Sequence, residues 1–302
     1  MGELTVKKNK MKKEIKRCIE HMLETNDIRR VFWHMDDKVD NLTYGIRQGD
    51  DAVIIGDNVI NMEGPYPVKI GRKTGLIHTC SDIVVMGAKP LYALNSMQVD
   101  SLAMGKEIAE DLKKQSEGLG VPIVGGNTQL ENNLTSCISF TVYGRLVSEP
   151  VADSGVKPKD RILMLGEIVE GEIGQRVRRA KVKFETFLGM LDEGVKINAA
   201  KDASRGGWFG NLMEMLVKSR MGFTVTSIPF PHVTRYMGTY LISIPEKYVD
   251  KAVQITAKNK CPLVEVGYVR EQKTVSIGSE QVVDEEKMMQ LIKGMPYKKP
   301  SR

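Results

Sequence analysis

The stretch GDDAVII, residues 49–55, places two adjacent carboxylates directly before an apolar run. Apolar residues on both sides of Gly56-Asp57-Asn58 predict a strand, a turn and a second strand over residues 52–60. An aspartate pair before a strand is most often a turn or a cap, because Asp side chains accept hydrogen bonds from nearby backbone. The alternative is that Asp50 and Asp51 hold a ligand at the mouth of the strand.

Three further acids stand beside predicted elements. Glu63 follows the strand at 59–62, Asp82 lies inside a helix predicted over 72–87, and Asp202 precedes the sequence ASRGG. A carboxylate on an apolar helix surface is costly to bury without a partner, which is usually Lys or Arg. A Mg²⁺ ion would also remove that cost, since Mg²⁺ takes oxygen ligands and completes its shell with water and phosphates.

Two glycine pairs accompany these acids, Gly125-Gly126 and Gly206-Gly207. Glycine pairs mark turns in most proteins, but they also allow backbone N–H groups to approach phosphate oxygens closely. Lys201 and Arg205 add charged donors, and the helix predicted to begin near Gly207 presents its positive end. The combination of acids, glycines and cations predicts a Mg²⁺-nucleotide site.

Helices and strands alternate along the chain, which predicts an α/β or α+β fold. The segment VPIVGG, residues 121–126, is expected to be a short buried strand, and residues 101–120 a helix with a glycine stop. A loop rich in Pro, Ser, Gly and charge spans residues 148–160. We place a domain boundary there, which gives domains at residues 1–150 and 151–302.

Composition narrows the class of protein. The 302 residues carry a net charge of +6, and part of that excess lies in KKNKMKKEIKR (7–17) and KKPSR (298–302). Aromatic residues are 6% and do not alternate with the basic clusters, so nucleic-acid binding by residues 7–17 is the least favoured hypothesis. Four scattered cysteines and the lack of a long apolar stretch predict a cytoplasmic protein with no membrane span.

No P-loop and no glycine-rich dinucleotide fingerprint follows a predicted strand. Instead, four segments resemble, in this order, the aminoimidazole ribonucleotide (AIR) synthase-related superfamily, also called PurM-like: GDDAVI (49–54), SDIVVMGAKP (81–90), VGGNTQ (124–129) and KDASRGG (201–207). The superfamily includes AIR synthase, thiamine-monophosphate kinase, selenophosphate synthetase and the hydrogenase maturation protein that dehydrates a carbamoyl thiol. The resemblance covers residues 45–278 and is strongest to the uncharacterised AIR synthase-related proteins of methanogenic archaea.

The resemblance implies an N-terminal sheet domain that pairs as a homodimer, a C-terminal α/β sandwich domain, and ATP with Mg²⁺ in a cleft near the dimer interface. It implies catalytic roles for Asp51 and Asp202. It implies metal ligation by Asp50, Asp51, Asp82 and Glu63. The nucleotide would be bound by Gly125, Gly126, Asn127, Thr128, Lys201, Arg205 and Gly206.

Two departures bear on the metal. The family often has Asp where Asn127 stands, and a Thr-Asp pair where this chain has Glu63, one carbon longer. The cysteines that selenophosphate synthetase and the maturation protein use also have no counterpart here.

The function implied is an ATP- and Mg²⁺-dependent enzyme that phosphorylates or activates an oxygen of a small-molecule or protein-bound substrate. One alternative is a non-catalytic nucleotide-binding regulator or maturation partner. Another is an activity like that of thiamine-monophosphate kinase.

Overall fold

The computed structural model describes residues 2–24, 28–130 and 133–295, which form two β-sheets covered by helices. The first sheet has six strands in the spatial order β1-β2-β3-β6-β4-β5. Its strands are β1 Leu42–Tyr44, β2 Val53–Ile55, β3 Asn58–Pro67, β4 Ala88–Val99, β5 Ile123–Leu130 and β6 Cys137–Leu146. The β4–β5 pair is parallel and the other neighbours are antiparallel.

Two helices cover one face of this sheet, α2 Val68–Val85 and α3 Leu102–Leu119. The α3 helix begins after Ser101, whose side chain accepts a hydrogen bond from the Met104 N–H at 3.2 Å. It ends at Gly120, where φ is 70° and a side chain would be strained. The predicted helix over 101–120 is therefore confirmed, as is the strand-turn-strand over 52–60.

The expectation that residues 121–126 form a buried strand is wrong. Strand β5 is the outer strand of the sheet, and every residue from Val124 to Leu130 is exposed. The residues of β5 remain exposed because this edge strand pairs only with β4. Gly125 and Gly126 consequently lie inside a strand and not in a turn.

The second sheet has seven strands in the spatial order β13-β12-β9-β11-β7-β10-β8. Its strands are β7 Arg161–Leu165, β8 Ala199–Asp202, β9 Gly222–Val225, β10 Tyr240–Ile244, β11 Leu263–Arg270, β12 Val275–Ile277 and β13 Glu280–Val283. The helices of this half are α4 Ile173–Asp192, α5 Gly207–Ser219, α6 Val249–Lys258 and α7 Glu285–Gly294.

The two sheets share one of the two hydrophobic cores. Helix α4 of the second half packs against α2 and α3 of the first half. Ile83, Phe140, Phe187 and Tyr240 belong to this common core and are at most 1% exposed. Residues 147–160 join the sheets through turns and bends. The division at residues 150 and 151 stays a prediction.

Helix α1, Gly2–Glu24, and the 3-10 helix Ile28–Lys38 precede the first sheet. Helix α1 packs against α5 and α7 and buries Ile15, Cys18 and Ile19, while lysines such as Lys16 face solvent. The basic segment 298–302 lies outside the described residues. Within the described part of the chain, none of the helices has the length and apolar character that a membrane crossing requires.

Candidate functional site

A cleft of about 1120 Å³ lies where the β2–β3 hairpin, helix α2 and strand β8 meet. The sequence predicted seven of its lining residues as site residues: Asp50, Asp51, Glu63, Asp82, Lys201, Asp202 and Arg205. They come from positions as far apart as 50 and 205, so the fold has assembled them.

Lys201 is the central cation of this region. Its side chain is 6% exposed, and Nζ lies 2.6 Å from Asp51 Oδ1, 3.2 Å from Asp153 Oδ2 and 3.6 Å from Glu214 Oε2. The second oxygen of Asp51, Oδ2, is buried and has no hydrogen-bond partner within the described residues. A buried carboxylate oxygen without a partner is unfavourable, so Asp51 retains one free ligand position at the cleft.

Lys218 forms a second buried cationic centre behind the first. Its Nζ lies 2.5 Å from Asp153 Oδ2 and 3.1 Å from Glu214 Oε1, and it donates to the Gly49 carbonyl at 2.5 Å. The two lysines thus bridge α5 and β8 to the loop that carries the aspartate pair.

Asp50 has the turn-capping role that its position before a strand also predicts. Its Oδ1 accepts from the Asp51 N–H at 2.9 Å, and its Oδ2 accepts from the Asp153 N–H at 3.1 Å. The two adjacent aspartates therefore differ: Asp50 caps backbone, whereas Asp51 pairs with Lys201 and faces the cleft.

Asp82 and Glu63 have neutral partners. Asp82 Oδ2 accepts from the Asn61 side-chain amide at 2.6 Å, and Glu63 Oε2 accepts from the Tyr66 hydroxyl at 2.9 Å. The usual Lys or Arg partner of a buried aspartate is not what holds Asp82. The carboxylate of Asp82 therefore forms no direct ion pair in the described structure.

We call Asp50, Asp51, Asp82, Asp153, Asp202 and Glu214 the acid cluster. Burial, then the charge of Asp153, raises the pKa of Asp50 well above its ordinary value. Burial, then Asp202 and Asp51, does the same to the pKa of Asp82. Burial and Asp51 raise the pKa of Asp202 to about 7. These shifts indicate a region short of positive charge, which favours a bound cation or proton.

Glu214 is the contrasting member of the acid cluster. Burial acts to raise its pKa, but the ammonium groups of Lys201 and Lys218 outweigh burial and lower the pKa to about 2. Glu214 therefore stays ionised and compensates the two lysines. The deficit of positive charge falls on the acids nearer the cleft.

A third buried lysine lies behind the cleft. Lys183 on α4 donates from Nζ to Ser81 Oγ at 3.2 Å and to the Gly238 carbonyl at 2.5 Å, and lies 4.0 Å from the Tyr240 ring centroid. Burial lowers its pKa to about 8. Its ammonium group contacts no carboxylate in the described structure. It therefore stabilises the negative charges of Asp82 and Asp202 only by longer-range electrostatic attraction.

Two neutral residues face the middle of the cleft. Burial, then the charges of Lys183 and Arg176, lowers the pKa of His78 to about 3, so this imidazole is uncharged at neutral pH. Its ring centroid lies 4.5 Å from that of Tyr236, whose hydroxyl is buried and has no hydrogen-bond partner in the described structure.

The acids are not arranged as a closed metal cage. Among residues 2–24, 28–130 and 133–295, no group of three or more His, Cys, Asp or Glu side chains has a geometry that could hold a metal ion. Lys201 stands beside Asp51 instead. The predicted ligands Asp50, Asp51, Asp82 and Glu63 share the cleft without converging on one point.

Five predicted nucleotide-binding residues do not line the cleft. Gly206 is the N-cap residue of α5 with φ at 97°, and it lies beside Arg205 but outside the cleft surface. The other four lie on β5, three strands from β3 in the sheet order: Gly125, Gly126, Asn127 and Thr128.

The sequence interpretation missed Asp153, Glu214 and Lys218. Asp153 lies in a loop, and no local pattern distinguishes it. Glu214 and Lys218 did carry a signal, because they are spaced four residues apart on the otherwise apolar helix WFGNLMEMLVK. Opposite charges at that spacing form one helix face, and this face is buried.

Comparison with known proteins follows the same two halves. Residues 44–146 match the AIR synthase related protein, N-terminal domain, and residues 165–280 match the AIR synthase related protein, C-terminal domain. The uncharacterized protein MJ0799 of Methanocaldococcus jannaschii is 52% identical over 287 residues, which is 94% of this chain and 97% of that protein.

Two solved structures share the fold. T. maritima PurL complexed with ATP superposes with a TM-score of 0.68 at 19% identity, over 83% of this chain and 47% of that one. The chain thus spans about half of the PurL length. A chain from the HypE-HypF complex superposes with a TM-score of 0.66 at 20% identity, over 82% of this chain and 95% of that one.

Proposed function

The chain belongs to the AIR synthase-related protein family, and from this premise we propose that it is an ATP- and Mg²⁺-dependent enzyme that phosphorylates or activates an oxygen of its substrate. The observation that carries the proposal is the acid cluster at the cleft, with Asp51 Oδ2 buried and unpartnered. The PurL structure with ATP supports ATP as the nucleotide. The substrate would be a small molecule or a protein-bound group.

The donor set suits Mg²⁺ chemically. Mg²⁺ binds through one or two carboxylates and completes its octahedron with water and substrate phosphates, so a preformed cage of three acids is not required. Asp51 and Asp82 would be the first ligands, with Asp50 and Glu63 at the margins of the site. When bound, Mg²⁺ neutralises charge on the phosphoryl group.

The basic residues of the site would hold the triphosphate. Arg205 is exposed at the cleft surface, and the N-terminus of α5 behind Gly206 adds positive potential. The N–H groups of Gly207 and Phe209 donate to the carbonyls of Ser204 and Val233. Lys201 already forms an ion pair with Asp51. Its proposed role is therefore to hold that carboxylate in position. Positioning and electrostatic stabilisation supply most of the catalysis in phosphoryl transfer.

Asp202 is the proposed proton acceptor. Its pKa of about 7 lets it exchange a proton near neutral pH. Asp202 would take the proton from the substrate oxygen as that oxygen forms its bond to the γ-phosphorus. The bond to the bridging oxygen breaks, and ADP leaves with its electron pair.

The residues of β5 would act from a second copy of the chain. Helices cover one face of the first sheet, but the other face exposes Met62, Tyr92 and Leu94, and Tyr92 stacks on Tyr143 with centroids 4.9 Å apart. We assign this open face to a homodimer contact. Gly125 to Thr128 of one protomer would then reach the cleft of its partner.

Leu94→Glu tests the dimer, because a charge at the centre of the open face opposes its burial. We expect light scattering to report a dimer for the wild type and a monomer for the variant. Lys106→Glu, on the exposed side of α3, is the control. Identical masses for wild type and Leu94→Glu would refute the assignment.

Asp51→Asn tests the enzyme itself. We expect ATP-dependent phosphate release, assayed with Mg²⁺ and fractions of a small-molecule extract, to fall at least 100-fold, because the variant loses a charged ligand. Asp57→Asn, an exposed aspartate in the adjoining β2–β3 turn, is the matched control and should retain full activity. Full activity in Asp51→Asn would remove Asp51 from the mechanism.

The second candidate function is a nucleotide-binding regulator or maturation partner. It is favoured by the open geometry of the acids and by a structural relative whose structure is a two-protein complex, HypE-HypF. It predicts nucleotide binding without turnover in every extract fraction. Sustained phosphate release with any one fraction excludes it. No contact in the described structure favours a thiamine-monophosphate kinase activity over the general proposal.

A further inference from the structure

The cleft extends along one face of α2, well beyond the acid cluster. Its lining residues on this helix recur every four positions, at Ile70, Thr74, His78 and Asp82, with Lys69 and Lys73 in the adjacent row. A rise of about 1.5 Å per residue puts the Lys69 Cα roughly 20 Å from the Asp82 Cα along the helix axis. The cleft is therefore long enough for more than one ligand.

The far end of the cleft is cationic. Lys69 and Lys73 are exposed and form no ion pair with any residue of the described structure. Side chains on a helix tilt towards its N-terminus, so both stems lead away from Asp82. The first turn of α2 has no side-chain cap at Pro67, and its unpaired N–H groups add positive potential.

The middle of the cleft is mainly aromatic, and Arg176 is the cation on its wall beside His78. Tyr66 and Tyr236 flank His78, with ring centroids 5.9 Å and 4.5 Å from it. The Tyr236 hydroxyl there is buried and has no hydrogen-bond partner in the described structure. The cleft thus runs from acids, through aromatic rings beside Arg176, to two lysines.

The acids and the two lysines lie far enough apart to bind two different ligands. The negative charges of ATP are contiguous in its triphosphate, so a triphosphate bound at Asp51 and Arg205 leaves the distant lysines without an anion. From this we infer that the second substrate is itself an anion, whose carboxylate or phosphate group is bound by Lys69 and Lys73. The inference rests on the proposed function and adds the substrate class.

The test measures anion binding in the presence of bound nucleotide. The full chain, saturated with Mg²⁺ and the non-hydrolysable analogue AMP-PNP, is titrated calorimetrically with inorganic phosphate and separately with malonate, at constant ionic strength. Lys69→Gln/Lys73→Gln is compared with Lys106→Gln/Lys258→Gln, which removes two exposed lysines away from the cleft.

We expect the wild type and the control to bind at least one anion at one site per chain. We expect Lys69→Gln/Lys73→Gln to weaken it at least tenfold, with AMP-PNP affinity within twofold of wild type. Binding of phosphate alone would define a phosphorylated substrate, and binding of malonate alone a carboxylate.

Three results would overturn the inference. They are no anion binding by the wild type, equal anion affinity in both double variants, or a tenfold loss of AMP-PNP affinity in Lys69→Gln/Lys73→Gln. The last would assign the lysines to the nucleotide's own phosphates. If AMP-PNP does not bind at all, the proposed function fails, and the same anion titrations on the nucleotide-free chain still test the lysine site.

Discussion

The acid cluster and strand β5 represent two ways in which a chain can place polar groups. Three members of the acid cluster, Asp51, Asp153 and Glu214, are joined by ion pairs to Lys201 and Lys218. Strand β5 is exposed and pairs with one neighbour. The acids of the first region are therefore held mainly by other groups of the same chain, whereas the residues of β5 face solvent.

The largest effect is expected at the centre of the acid cluster. Lys201→Met would leave Asp51, Asp153 and Glu214 with one fewer buried counter-charge. Removing one partner of a buried ion network costs about 3–5 kcal/mol, and we expect a loss of that size in the free energy of unfolding by urea.

Lys106→Met is the matched control, since this exposed lysine on α3 should change stability by less than about 0.5 kcal/mol. If Lys201→Met and Lys106→Met unfold at the same urea concentration, the acid cluster is not held together by its lysines. The contrast with β5 would then lose its energetic basis.

The next effect depends on pH. The folded-state pKa of Asp202, about 7, lies above its ordinary value of 3.8. The stability contributed by its protonated form is therefore complete below pH 3.8 and is lost as the pH rises through 7. Asp202→Asn removes this loss, so between pH 5 and pH 8 the nucleotide-free variant should gain on wild type by up to roughly 3 kcal/mol.

Thermal unfolding between pH 5 and pH 8 measures this gain, with Asp57→Asn as the exposed control whose difference from wild type should stay flat. A difference for Asp202→Asn that is constant or shrinks towards pH 8 would contradict the raised pKa. The same variant should lose activity, because the proposed proton acceptor is gone.

The smallest effect concerns β5 and separates its two glycines. Gly126 has φ at 149°, and an added Cβ would lie 1.7 Å from the Asn95 carbonyl oxygen, whereas a Cβ on Gly125 would meet only Leu94 Cδ2 at 3.4 Å. Gly126→Ala should therefore cost about 1–3 kcal/mol, and Gly125→Ala less than about 0.5 kcal/mol. Urea unfolding of both variants measures this, and equal costs would contradict the β4–β5 register.

The acids could be predicted from sequence because each has a local signature. Asp50 and Asp51 precede a strand, and Asp82 interrupts an apolar helix face. Such positions are expensive for a carboxylate, so their presence indicates a ligand or a partner. The alternation of helices and strands follows from periodicity in the same way, whereas the expectation of a separate sheet domain in each half came from the family resemblance.

The partners of these acids could not be predicted, since Asp153 and Lys218 reach Asp51 and Lys201 only through the tertiary fold. The edge position of β5 could not be predicted either, because an apolar run such as VPIV does not reveal whether the strand has a neighbour on both sides. Burial of a strand depends on its place in the sheet, which the sequence of that strand does not contain.

Calorimetric titration of AMP-PNP into the full chain, with and without Mg²⁺, tests the central claim that the acid cluster serves a metal-bound nucleotide. We predict binding that requires Mg²⁺, is lost in Asp51→Asn and persists in Asp57→Asn. Absence of binding in both conditions, or binding that neither Mg²⁺ nor Asp51 affects, would contradict the account and leave the acids as structural partners of Lys201 and Lys218.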